Sequence, residues 1–239
     1  HIALSQSDSG LFKAHHPSDR FDIHAYIEDY SCLWVQALRQ VYELTANLAL
    51  VNELWQPLKK QMQWFADHRS ANGLVYGREF TFMDNPLAYC YCNGATLNAF
   101  VYKAFNDAAF LASAKKDFQA EKNYEKLAEE IKQSYNKHLW NPAKKTYSSG
   151  IADQKQMMST AHAALMALNR GIVPDNRKQS VKEYLYHHYR DRGKSYSQNG
   201  VIPELFFHPD LAVNGIDSPY TSFWMLEELF KDNRDVEAL

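Results

Sequence analysis

Residues 97–139 read LNAFVYKAFNDAAFLASAKKDFQAEKNYEKLAEEIKQSYNKHL, and this tandem decides the fold class. In its first half, 97–114, Leu97, Phe100, Val101, Ala104, Phe105, Ala108, Leu111 and Ala112 recur three and four apart, and the segment is apolar nearly all round. In the second half, 121–139, Tyr124, Leu127, Ala128, Ile131, Tyr135 and Leu139 form one stripe, with Glu and Lys elsewhere. Both have the helical period. A helix apolar on all sides is buried, whereas one with a single apolar stripe lies outside. The pair therefore predicts an inner helix followed by an outer one.

The same alternation extends in both directions. Helices are predicted over 29–44, 48–66, 159–169, 176–190 and 220–231. The first, third, fifth and seventh helices in chain order are the apolar ones. The second, fourth and sixth carry charged faces: Lys59 and Lys60; Glu125, Lys126, Glu129 and Glu130; Lys178, Lys182 and Glu183. A two-layer α/α toroid requires this order, although a bundle core or an α-solenoid reads similarly. Strand-type alternation is confined to 74–83 and 201–207. Connectors from an apolar to a charged-faced helix are short (45–47, 115–120, 171–175), and the return connectors are long (67–96, 140–158, 191–219). Compact domains favour connections of about 4–6 residues, and much longer ones tend to carry function. The long connectors all lead into N-terminal ends of apolar helices, so one rim is expected to be trimmed and the other elaborated. A ligand site belongs on the elaborated rim, where helix N-termini favour negative or hydroxyl-rich groups.

Composition narrows the class. Hydrophobic residues make up 46% of 239, enough for a substantial core. Lys plus Arg total 26 against 28 Asp plus Glu, a net charge of -2, which gives no electrostatic footprint for nucleic acid or an anionic membrane surface. No apolar run approaches the ~20 residues of a membrane span. Only 9 Gly are present, where about 7% is usual, and this argues against a turn-rich all-β fold. Three cysteines, Cys32, Cys90 and Cys92, suggest neither a disulfide scaffold nor a zinc site. The ten histidines show no ligand spacing, so no metal is expected, and no phosphate-loop, dinucleotide or nucleophile-elbow motif implies a cofactor or other chemistry. The chain opens His-Ile-Ala-Leu with neither an initiator Met nor a charged and apolar leader, and it reads as a fragment of a longer polypeptide.

The segments leading into the apolar helices interleave carboxylates with aromatic rings. They include His24, Tyr26 and Asp29 before the first helix, Asp84 in a Phe-Thr-Phe-Met context, Tyr89 beyond it, and Asp217 and Tyr220 before the last. Rings stack on pyranose faces and carboxylates bind hydroxyls or move protons, so these residues are the candidate sugar-binding set. Two have duller readings: Asp29 also suits a helix N-cap, and Asp217 or Ser218 ahead of Pro219 suits a cap with Pro at the first helical position. His162, inside an apolar helix, reads as a core histidine.

Particular words along the chain resemble the catalytic domain of bacterial α-L-rhamnosidases, glycoside hydrolase family seventy-eight. They are Gly10-Leu11-Phe12, Pro17-Ser18, Tyr30-Ser31-Cys32-Leu33-Trp34-Val35, Asn72-Gly73-Leu74, Phe82-Met83-Asp84, Leu97-Asn98-Ala99 and Trp140-Asn141 before Tyr147. Further on come Ala163-Ala164-Leu165-Met166-Ala167-Leu168 with Gly171-Ile172-Val173, and Ser218-Pro219-Tyr220-Thr221-Ser222-Phe223. The resemblance implies an all-α fold, here part of an (α/α)6 barrel with long loops on one rim, over a single truncated domain, 1–239. It also implies inverting hydrolysis of terminal α-L-rhamnosides, a carbohydrate substrate, and the remainder of the parent polypeptide as partner. In the family the acidic cluster with the general acid lies upstream of the stretch matching Leu11, and the general base lies downstream of that matching Phe230. This chain would then supply subsite walls, with its catalytic residues unassigned. Asn85 stands where the family commonly has Trp, and Thr160-Ala161 where it has Gln-His. A periplasmic or secreted home would suit such an enzyme. The rival expectations are a non-catalytic helical carbohydrate-binding or scaffold module, and an α/α-toroid hydrolase or lyase acting on uronic-acid sugars, for which only Arg20 and Arg78 offer basic groups on the rim.

Overall fold

The computed structural model describes residues 2–17, 26–77, 92–189, 216 and 219–234. Its helices, in chain order, are α1 (Glu28–Thr45), α2 (Leu48–Glu53), α3 (Trp55–Asp67), α4 (Ala95–Ala114), α5 (Phe118–His138), α6 (Ala161–Asn169), α7 (Asp175–His188) and α8 (Pro219–Lys231). Two small antiparallel hairpins lie between α5 and α6: β1 (Trp140–Asn141) with β2 (Thr146–Tyr147), and β3 (Ile151–Ala152) with β4 (Lys155–Gln156). The chain is thus mostly helical, as its periodicity predicts.

Two expectations need correction. The helix expected over 48–66 is broken at Leu54 into α2 and α3. Pro57 is the cause, because its ring has no N–H to donate to the carbonyl of Glu53 and would clash with it. Strand structure also falls elsewhere than expected. Within 74–83 the described residues hold only a single bridge, Arg69 to Val75, and 201–207 lies outside the described residues. The hairpins lie in the 140–158 connector, in strands too short for a period-2 signal to register.

Three of the apolar helices, α4, α6 and α8, share one ending. In α6, Gly171 adopts φ 70°, while Ile172 donates to the carbonyl of Ala167 and Gly171 to that of Leu168, both at 3.0 Å. This is the Schellman arrangement. In α4 the same pair of bonds runs from Asp117 to Ala112 and from Lys116 to Ser113, with Lys116 at φ 63°; in α8 it runs from Arg234 to Leu229 and from Asn233 to Phe230, with Asn233 at φ 56°. After α4 and α6 this turn delivers the chain directly into the charged-faced helix that follows, which is why those connectors are short. Asp117 then caps α5, its carboxylate accepting from the Ala120 N–H at 3.2 Å.

The chain divides into two compact units, His1–Phe82 with Phe100–Ser134, and Met83–Ala99 with Tyr135–Leu239. In the first unit, Val35, Leu58, Met62, Phe65, Phe105 and Leu111 are fully buried. The N-terminal segment lies along α1 and α3: Phe12 meets Trp34 at 4.5 Å between ring centroids, and the Lys60 ammonium donates to the Ser7 carbonyl. Gly10, at φ 120°, leaves no room for a side chain, since a Cβ would stand 2.7 Å from the Lys60 carbonyl oxygen. Buried Asp107 on α4 receives both the Arg39 guanidinium of α1, at 2.8 Å, and the Lys103 ammonium. In the second unit α6 is buried over Ala161–Ala167 between α7 and α8. Tyr147 donates to Asn136 Oδ1 at 2.6 Å, and Asn136 Nδ2 donates to the Ile172 carbonyl, tying β2 and α5 to the turn between α6 and α7.

Candidate functional site

In the second unit, the approaches to two apolar helices are fastened together. Asn93, just before α4, donates to the Ile151 carbonyl at 3.1 Å and accepts from the Ile151 N–H at 3.3 Å. Ala95 donates to Ser149 at 2.8 Å, and Ser149 in turn donates to Met158 at 2.7 Å. Ser148 bridges Ser159, and the next residue, Thr160, caps α6 by accepting from Ala163 N–H. The 140–158 connector is therefore a clasp holding the N-terminal ends of α4 and α6 side by side. Cys92 at this joint is disulfide-bonded. This differs from the expectation of no disulfide scaffold, because an odd cysteine count excludes only complete pairing. Ile216 donates to the Tyr189 carbonyl at 3.0 Å.

Of the candidate residues, His24, Asp84, Tyr89 and Asp217 lie outside the described residues. The other three sit at helix N-terminal ends. Tyr26 is half-buried, in an antiparallel bridge with Lys13 two residues ahead of α1. Asp29 is fully buried in the first turn of α1. It is not the cap: that position is Ile27, which supplies no side-chain acceptor. Glu28 beside it is equally buried. Two carboxylates in a first turn suit the positive end of the helix dipole. Burial, and then the Asp29 charge, raise the Tyr30 phenol above its ordinary pKa. Tyr220, half-buried in the first turn of α8, stands edge-on to Trp224 at 4.7 Å. Tyr26 and Asp29 thus share one helix end in the first unit, and Tyr220 belongs to the second.

Sequence reasoning missed Glu28, although its neighbours Tyr26 and Ile27 were an available sign of an apolar setting. It also missed Asn93 and Gly150 as the parts of the clasp. His162 is 7% exposed on the first turn of α6, within the core as expected. Among the described residues, no group of three or more His, Cys, Asp or Glu could hold a metal ion.

Apolar helices alternating with charged-faced ones, with short Schellman turns leading from α4 and α6 into the helices that follow, define an all-α helical-hairpin protein. The chain belongs to the bacterial α-L-rhamnosidase six-hairpin glycosidase domain family, whose sequence model matches residues 1–220. This membership fits the (α/α)6 barrel class. Among solved structures, the chain is similar to a family 78 rhamnosidase of Bacillus sp. GL1 at 20% identity and TM-score 0.79, over 99% of this chain and 23% of that one. A rhamnosidase from Klebsiella oxytoca with rhamnose bound matches at 16% identity and TM-score 0.70, over 98% and 40% of the two chains. An α-L-rhamnosidase from Dictyoglumus thermophilum matches at 15% identity and TM-score 0.67, over 96% and 23%. The chain therefore spans between 23% and 40% of the length of these relatives. No curated protein matches it.

Proposed function

We propose that this chain is the central part of an (α/α)6 catalytic domain that, in the intact polypeptide, hydrolyses terminal α-L-rhamnosides. The observation that carries this reading is the family match across residues 1–220, supported by a shared fold over 99% of the chain. The bound rhamnose of the Klebsiella relative supports the sugar class.

The reaction is inverting. A carboxylic acid protonates the glycosidic oxygen while a carboxylate, roughly 6.5–9.5 Å away, activates a water on the opposite face of the sugar. Both groups belong to parts of the polypeptide beyond this chain. Asp84, His24, Tyr26, Tyr89, Asp217 and Tyr220 line the subsites, while Asp29, fully buried in the first turn of α1, supports that helix end from within. Tyr220, held edge-on by Trp224, offers a flat face to the pyranose, and the carboxylates accept from its hydroxyls. The clasp at Asn93 and Ile151 fixes two helix ends so that the hydroxyl contacts keep their geometry through the reaction. No cofactor takes part.

The test is hydrolysis of 4-nitrophenyl α-L-rhamnopyranoside by the full gene product containing this chain, beside the corresponding glucoside, galactoside and glucuronide. The rhamnoside should show the highest kcat/KM. Binding of L-rhamnose without hydrolysis of any of the four would instead mark a non-catalytic module.

A further inference from the structure

One face of α1 changes character along its length. Tyr26, Tyr30 and Trp34 recur four apart, just before and within its N-terminal end, and all three are half-buried. Further along, the exposed positions of the same face are Ala37, Val41 and Leu44. The first three are large flat rings with a polar tip, suited to a boundary that is apolar on one side and wet on the other. The last three carry no polar side-chain atom, and a face meant only for packing needs none. Side chains four apart lie one above the other on a helix. Trp34 therefore follows Tyr30 along α1 and lies in its second turn, about 9 Å from the helix start at 1.5 Å per residue. Buried Phe12 backs it, the ring centroids 4.5 Å apart and tilted by 42°, which fixes the indole while leaving part of it open.

A pyranose is two-sided as well, with an apolar C–H face and hydroxyls at its edge, and a 6-deoxy sugar adds a methyl group. An enzyme that cleaves terminal sugars admits the non-reducing end first, so the side chain furthest in from the entrance meets the terminal sugar. We propose that Trp34, backed by Phe12, is the specificity-determining contact for the methyl group of a terminal 6-deoxy hexose, with Tyr30 against the C–H face of the same ring. The proposal rests on the reading of the chain as part of a terminal rhamnosidase. It deepens that reading by naming the residue that separates a 6-deoxy sugar from its 6-hydroxy counterpart, L-mannose. A hydroxymethyl group seated against the indole loses water from its hydroxyl and gains no partner. An apolar pocket of this kind discriminates against an added hydroxyl by on the order of 100-fold.

The test compares 4-nitrophenyl α-L-rhamnopyranoside with the α-L-mannopyranoside in the full gene product, and the binding of free L-rhamnose with that of L-mannose by calorimetry. Trp34→Ala should shrink the rhamnose-to-mannose ratio at least about tenfold in both measurements, and Trp34→Phe should restore most of it. Saturation-transfer NMR reads the same contact without any substitution: irradiating the protein's aromatic protons should saturate the rhamnose methyl more than any ring proton. An unchanged ratio in folded Trp34→Ala would overturn the proposal, as would a methyl saturated least of all. Equal losses for both sugars would do the same, since they mark Trp34 as structural only. Absence of hydrolysis, with a binding ratio that still collapses in Trp34→Ala, would sink the enzymatic reading and uphold the contact. Binding of neither sugar would overturn both.

Discussion

Asn93 and Ile151 exchange both backbone hydrogen bonds, at 3.1 and 3.3 Å, although 58 positions separate them in sequence. The pair ties the long connector to the N-terminal approach of α4. Its neighbour Gly150 has no space to spare: a Cβ there would stand 3.1 Å from Cys92 Sγ, 3.2 Å from the Asn93 carbonyl oxygen and 3.3 Å from Gly94 Cα. Two of the three neighbours are backbone atoms and yield little. Gly150→Ala should therefore lower stability by about 1–3 kcal/mol, the usual range for overpacking. Denaturant unfolding checks this, and an unchanged midpoint would mean that the clasp is loose.

Asp107 is buried between two cations on α1 and α4. Removing its charge takes this anion from Arg39 and Lys103, each 28% exposed, although Arg39 keeps Glu43 at 2.9 Å. Breaking a buried pair costs about 3–5 kcal/mol, and partial exposure of the cations places Asp107→Ala near the lower end. Sugar affinity should not change, because Asp107 lies well along α4 from its N-terminal end. A loss in both stability and affinity would contradict this separation.

Three tyrosines make the fold sensitive to alkali. Burial pushes Tyr147 and Tyr124 up to about 12, and raises Tyr135 well above the ordinary value of 10.0. Because the folded values are raised, the stabilisation is complete below the unfolded pKa. It is lost as pH climbs through the folded values, once the unfolded chain binds fewer protons. The urea midpoint should thus fall between pH 10 and pH 12, and Tyr147→Phe should make that fall shallower. A midpoint that stays level to pH 12 would show that these rings are not buried.

At acid pH, Asp232 supplies the opposite sign. Burial alone would raise it, but the Lys182 ammonium and the Tyr186 hydroxyl, donating at 2.6 Å, together hold it below its ordinary value. Its contribution is present above the ordinary aspartate pKa and disappears as pH falls through the lowered one. Asp232→Asn should reduce stability at neutral pH by about 1 kcal/mol. The gap from the unsubstituted chain should close in strong acid, as pH-dependent thermal melts would reveal.

For catalysis, Asp84→Ala in the full gene product should lower kcat/KM by at least about tenfold, equivalent to roughly 1.4 kcal/mol of transition-state stabilisation. Tyr220→Ala should act mainly on KM. Normal kinetics in a correctly folded Asp84→Ala protein would remove that residue from the subsites.

Much of the fold was legible because burial dictates residue type on every face of a helix. The all-round apolarity of 97–114 and the single stripe of 121–139 translate directly into α4 and α5. Gly171, at a left-handed turn, closes α6 where its sequence says it should. What sequence could not give depends on partners distant in the chain. The 140–158 hairpins are only two residues per strand and are held by bonds to Asn93 and Ala95, which no local pattern announces. Asp29 illustrates the same limit. Its sequence context suits a cap, whereas its position in the first turn, beside buried Glu28, follows from how the segment before α1 packs. Of the seven candidate site residues, Tyr26, Asp29 and Tyr220 lie at helix N-terminal ends, and the other four lie outside the described residues.

The account turns on where the sugar binds, and hydrogen exchange of the full gene product with and without saturating L-rhamnose reads this directly. Protection should concentrate in 26–31, 92–98, 159–163 and 219–222, the approaches and first turns of α1, α4, α6 and α8. Protection confined to the opposite helix ends, at 115–117 and 170–172, or no protection at any sugar concentration, would contradict it.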